Sequence, residues 1–167
     1  MGMQGLFVNL GLPEKISGDI SLFLILAAVS VGLGMYIGRF RLVNVLINIY
    51  IAVALLGVIP GKWLSGSDVL PAILFLVIVI FLTIIGDYLF DIHISNTVPS
   101  GFFWRLLVMS FLEMGLVFSI IISLLPKKMV LQYISESSLM YFSSPYAQIF
   151  WMVFPLLFLL FLSKRAR

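Results

Sequence analysis

Residues 68–87 read DVLPAILFLVIVIFLTIIGD. Eighteen uncharged residues separate Asp68 from Asp87. At a rise of about 1.5 Å per residue, about 20 mainly apolar residues cross the hydrocarbon core of a bilayer as a helix. A strand would need only about 9–11 residues and would alternate apolar with polar side chains. This stretch shows no such alternation. Backbone groups in hydrocarbon must bond within their own segment, so the run reads as a helix. We expect a span over about residues 69–88.

The same measure extends outward, with charges as the rulers. Nineteen uncharged residues lie between Asp19 and Arg39, and 20 between Arg41 and Lys62. Twenty-one lie between Arg105 and Lys127, interrupted only by Glu113, and 27 between Glu136 and Lys164. These runs predict spans over about 20–38, 42–59, 104–125 and 147–163. Pro155 removes one helical hydrogen bond from the last, which reads either as a kinked span or as a re-entrant segment. The expected fold is all-α: one transmembrane domain over residues 1–167, built as an integral membrane bundle of four to five helices.

Composition agrees. Of 167 residues, 62% are hydrophobic and 10% charged, and the mean hydropathy is +1.21. Soluble domains carry about 25% charged residues and about 45–50% apolar ones. A chain this size could not hide so much apolar surface in one core. The net charge of +3 does not point to nucleic acid, because the basic residues stand singly or in pairs at the ends of apolar runs. There is no cysteine, which excludes disulfides and thiolate-held metals, and one histidine, which excludes a multi-histidine site within the chain. We expect no cofactor and no metal. The stretch before the first span contains Glu14, Lys15 and Asp19, unlike the basic opening of a cleavable signal.

The connections are short. Arg39-Phe40-Arg41 predicts a tight hairpin, which makes the first two spans neighbours. Pro60-Gly61 and Ser65-Gly66-Ser67 mark the second turn, and residues 96–101 (NTVPSG) the third. Residues 129–138 form a longer, partly amphipathic connection. With five spans, six basic residues (Arg39, Arg41, Arg105, Lys164, Arg165, Arg167) face four (Lys15, Lys62, Lys127, Lys128) across the membrane. With four spans, three face seven and the N-terminus changes side. The positive-inside rule places the C-terminal tail in the cytoplasm under both counts.

Polar and small residues inside the spans are the candidate functional positions. Ser30, Gly34 and Gly38 repeat at four-residue spacing, with Ala27 a turn earlier. Such a row admits a close helix neighbour, either a second copy or the second span of the same chain. Gly115, Ser119 and Ser123 form another packing row on the fourth span. Asn44, Asn48 and Ala52 share a face of the second span, where asparagines serve as interhelical glue or line a polar path. Glu113 is the acid well inside a span. A central acid costs about 2.5–3.5 kcal/mol to insert, so it should face the bundle. Arg105 lies about 12 Å away along the axis and about 80° around it, which leaves Ser110, one turn away, as the nearer polar group. Glu113 reads either as a proton or cation relay, or as a neutral acid bonded to Asn44, Asn48 or a serine.

Signs of catalysis are few. Nucleophile-elbow, zinc-protease, P-loop and dinucleotide motifs do not occur. Asp87, Asp91 and His93 at the end of the third span are the one cluster of acid, base and ligand chemistry, and two carboxylates at a wet boundary are usually solvated. We expect a protein that is not an enzyme.

The stretch from Gly18-Asp19-Ile20 through Gly38-Arg39-Phe40 resembles the opening of the colicin V production protein family. An Asp opens the first span, and spaced glycines lead to a Gly-Arg pair and a close second span. The later order is also similar: an Ile/Leu/Phe-rich third span, an Arg opening the fourth, then a serine-containing stretch, SESS, at residues 135–138. The resemblance covers about residues 18–145. It departs from the family at Trp104 to Glu113, which contains no glycine, and at Glu113 itself. It implies a small inner-membrane protein with a role in export or envelope maintenance, and it supplies no catalytic residues. The leading expectation is therefore a non-enzymatic scaffold or subunit, in contact with the lipid bilayer and with other membrane proteins or copies of itself. The alternative is a small transporter or channel subunit, with Glu113, Asn44 and Asn48 along a polar path.

Overall fold

A computed structural model of the chain describes residues 14–37, 39–64, 66–89 and 103–164. All regular structure among them is helical: α1 (Glu14–Ile37), α2 (Arg39–Val58), α3 (Leu70–Leu89), α4 (Phe103–Leu124), α5 (Glu136–Ser143) and α6 (Pro145–Lys164). One-turn helices at Gly61–Leu64 and Lys127–Val130 fill two connections. Pro71 stands in the first turn of α3, where a missing N–H costs no helical hydrogen bond. Two helical stretches, Arg41–Val58 and Trp104–Leu124, are long and apolar enough to cross a membrane. A third candidate is the pair α5 and α6, bent by 54° where they join.

That bend is not at Pro155. Pro155 is buried inside α6, and the chain turns eleven residues earlier, at Ser144. Ser144 is extended (φ −68°, ψ 149°), as steric clash with the ring of Pro145 requires of the residue before it. Ser135 caps α5 by accepting the backbone N–H of Ser138.

α4 is the centre of the bundle. It packs against α1, α2, α3, α5 and α6, most extensively against α1 and α6. Its side chains Leu112 and Leu116 join Leu46, Ile49, Phe75 and Phe142 in the core. Of Trp104–Leu124, 44% is buried inside the bundle, against 22% of Arg41–Val58. α1 and α4 are antiparallel. Gly34, late in α1, lies on Ser110, early in α4, while Asp19, early in α1, meets Ser135 and Ser138, beyond the end of α4.

The expected partner of the small-residue row of α1, the second span or a second copy, therefore needs correcting, since Gly34 faces α4. α1 and α2 do touch, but the principal partner of α1 is α4. A short turn brings two helix ends together and leaves their faces free to choose other neighbours. The small-residue face of α1 allows its closest approach where α4 also presents a small side chain, Ser110.

The outer helices present apolar stripes to the surroundings. Val43, Ile47, Ile51 and Leu55 form one along α2, and Ile73, Val77, Ile80 and Ile84 another along α3. Both follow helical spacing. The aromatic side chains of α6 divide. Trp151 is buried, whereas Phe150 and Phe154 are exposed and stacked with ring centroids 4.8 Å apart.

Candidate functional site

The polar residues of α4 are sorted by helix geometry. At 100° per residue, Ser110 and Glu113 lie about 140–160° around the helix from Gly115. One side faces α1 and the opposite side faces α6.

On the α1 side, an ideal Cβ on Gly34 would stand 2.2 Å from Ser110 Oγ, so nothing larger than glycine fits without movement. Ser110 is buried and donates to the Leu106 carbonyl of its own helix at 2.9 Å. Ser30, one turn before Gly34, is also buried and donates to the Ala27 carbonyl at 2.8 Å. A serine bonded to its own backbone is a small, self-satisfied surface on which a helix can rest.

Glu113 lies on this side of α4 and is only 4% exposed. Its Oε1 has no hydrogen-bond partner among the described residues. The donors expected for it are engaged elsewhere. Ser110 donates to Leu106, and Asn48 Nδ2 donates to Thr83 Oγ1 on α3 at 3.4 Å. Asn44 is half-buried on α2, one turn before Asn48. The polar path imagined from Asn44 and Asn48 to Glu113 is thus diverted at Asn48 towards α3. Thr83 in turn donates to the Val79 carbonyl at 2.7 Å, and Gly86 leaves room beside the Asn48 amide. Thr83 was legible as the one hydroxyl in the run between Asp68 and Asp87. Its partner was not, because the pairing joins two helices.

On the α6 side, the row Gly115, Ser119 and Ser123 has three separate uses. Gly115 houses the Trp151 ring, with an ideal Cβ 2.0 Å from Cζ3. Trp151 stacks on Phe142 at 5.3 Å and donates its indole N–H to the Tyr141 carbonyl at 3.2 Å. Ser119 is buried and donates to the Phe142 carbonyl at 2.6 Å, tying α4 to the end of α5. Ser123 is exposed and donates to the Ile120 carbonyl at 2.7 Å. The Tyr50 hydroxyl donates to the Met152 carbonyl and joins α2 to α6.

One constellation was missed. Asp19 Oδ1 accepts hydrogen bonds from the hydroxyls of both Ser135 and Ser138. The acid that opens α1 and the SESS stretch, more than 110 residues apart in sequence, are one junction in space. The signal was a serine placed to cap an apolar helix, whose second role as a donor to α1 depends on tertiary structure. Gly38, Asp91, His93 and the side chain of Asp87 lie outside the described residues. Among the described residues no group of three or more acidic, histidine or cysteine side chains is arranged to hold a metal.

Comparison of the chain with models of known protein families, with curated proteins and with solved structures finds no match.

Proposed function

We propose that this chain is a multi-pass membrane protein of four or five spans that performs no chemistry of its own. It serves as a scaffold or subunit of a larger membrane assembly. The observation that carries this reading is the direction of its side chains. The serines of the central helix, Ser110, Ser119 and Ser123, donate to nearby backbone carbonyls, while α2, α3 and α6 turn continuous apolar stripes outward. Exposed apolar faces of this extent require lipid or protein around them. The stacked Phe150–Phe154 pair is the part of that surface best shaped to meet another helix. A setting in export or envelope maintenance, in an inner membrane with the C-terminal tail in the cytoplasm, is supported by the resemblance of residues 18–145 to colicin V production proteins and by the placement of basic residues.

Purification of a tagged chain in gentle detergent, with the mass and composition of the particle determined, tests the proposal. A foreign subunit in fixed stoichiometry is the expected result.

Glu113 favours a second reading. A carboxyl oxygen buried without a partner is costly unless something uses it. A homo-oligomer that conducts ions, and loses the flux in Glu113→Gln while still assembling, would replace the scaffold with a channel or transporter subunit.

A further inference from the structure

A cavity of about 210 Å³ opens between α2, α3, α4 and α6. Its walls are Val53, Leu56, Phe75, Leu116, Ile120, Leu124 and Met152, with Ser119, Ser123 and Gln148 among them. The wall residues of α4, Leu116 to Leu124, cover about 12 Å of helix. The volume is below the roughly 300–1,000 Å³ of pockets that enclose drug-sized molecules. It suits a flexible chain of methylenes.

The two ends of the cavity differ. Leu56 is in the last turn of α2, Ser123 and Leu124 close α4, and Gln148 is in the first turn of α6. These mark one end of the bundle. Ser119 and Ser123 give their hydroxyl protons to backbone carbonyls. The backbone N–H of Gln148 donates to the Ser144 carbonyl, but its side-chain amide makes no hydrogen bond with the described residues, so the side-chain N–H groups are donors on offer at that end. Lys127 and Lys128, both exposed, follow directly beyond Pro126. An apolar wall, a side-chain amide in the first turn of α6 and two exposed lysines three and four residues beyond Leu124 follow the order of an acyl chain, an ester carbonyl and a phosphate.

We infer that this cavity seats one acyl chain of an anionic phospholipid, with Gln148 donating to its ester carbonyl and Lys127 and Lys128 facing its phosphate. The inference rests on the membrane reading above and deepens it: the bilayer is a specific ligand here as well as the solvent. Basic residues at a helix end draw anionic headgroups, and the cavity explains why one lipid would stay.

The full chain, reconstituted in vesicles of phosphatidylglycerol and phosphatidylcholine and extracted into mild detergent, can be weighed intact by native mass spectrometry. One lipid should be retained per chain, with phosphatidylglycerol preferred by about 30-fold from the two lysines together. Val53→Phe fills the shaft and should abolish retention. Ser123→Phe blocks the mouth from an exposed position, where folding is not at stake, and should do the same. Lys127→Gln with Lys128→Gln should keep a lipid and lose the preference. Retention by Ser123→Phe equal to that of the unmodified chain overturns the inference, as does an undiminished preference in the double lysine variant. Release of the chain from the membrane by alkaline carbonate would instead overturn the membrane reading itself.

Discussion

The two main seams of α4 are both built on glycine, and they use it in opposite ways. At the α1 seam, Gly34 meets Ser110, and two small side chains let two backbones approach. At the α6 seam, Gly115 leaves a socket that the Trp151 ring fills, with Phe142 stacked on it and Phe111 at 6.2 Å. The first seam is a contact between helices and the second a contact between a helix and a ring. A glycine in an apolar helix is therefore not by itself a sign of close helix approach. What lies opposite decides its role.

The sharpest test of this contrast is Gly115→Ala. The new methyl would fall 2.0 Å from Trp151 Cζ3, and the ring has little freedom to withdraw because Phe142 stacks on it. Overpacking of this kind should cost about 3 kcal/mol, read as a lower unfolding midpoint in a denaturing-detergent titration. Trp151→Leu in the same chain should recover part of the loss. If Gly115→Ala unfolds like the unmodified protein, the ring is not locked and the contrast fails.

Gly34→Ala should cost less, about 1–2 kcal/mol, because the nearest atom is the movable hydroxyl of Ser110. Ser110→Ala should recover part of that cost in a double-mutant cycle, whereas Trp151→Leu should not. Cross-rescue between the two seams would show that they are one.

At the far end of α1, Asp19→Ala should remove an acceptor shared by Ser135 and Ser138 and cost about 1 kcal/mol. Its signature is faster hydrogen exchange at the start of α5 rather than along α4. The smallest effects belong to Gly32→Ala and Gly57→Ala. Neither position has an atom within 4 Å of the new Cβ, so the change should stay within about 0.5 kcal/mol and lean towards stability through helix propensity.

Much of the secondary structure was legible because charge spacing limits how long an apolar helix can run. The helix Arg39–Val58 occupies the run from Arg41 towards Lys62, and Phe103–Leu124 the run between Arg105 and Lys127. The candidate site was legible only as residue types. Glu113 stood out because an acid is expensive inside an apolar run, and burial at 4% exposure follows from that cost. Its lack of a partner at Oε1 could not be read, since the sequence allows Asn48 to turn to α4 as readily as to Thr83 on α3. Pro155 was legible as a proline inside the last apolar run, and it lies inside α6. The bend between α5 and α6 falls before Pro145, at the extended residue Ser144, and no signal in the apolar run pointed to it.

By itself the sequence determined that the chain forms long apolar helices, about where most of them run, and which polar residues would have to be buried; it did not place the start of α1 at Glu14 or the helix α5. Those features follow from local terms: backbone hydrogen bonding, side-chain hydropathy and the spacing of charges. Only the tertiary structure decided that α4 lies at the centre, that α1 leans on α4 rather than on its sequence neighbour, and that Asp19 meets Ser135 and Ser138. Among helices of nearly uniform hydropathy, burial of apolar area hardly distinguishes one neighbour from another. The choice falls to shape, a missing Cβ at Gly34 or Gly115, and to which hydroxyl finds which acceptor. These are pairwise properties that a single chain position does not carry.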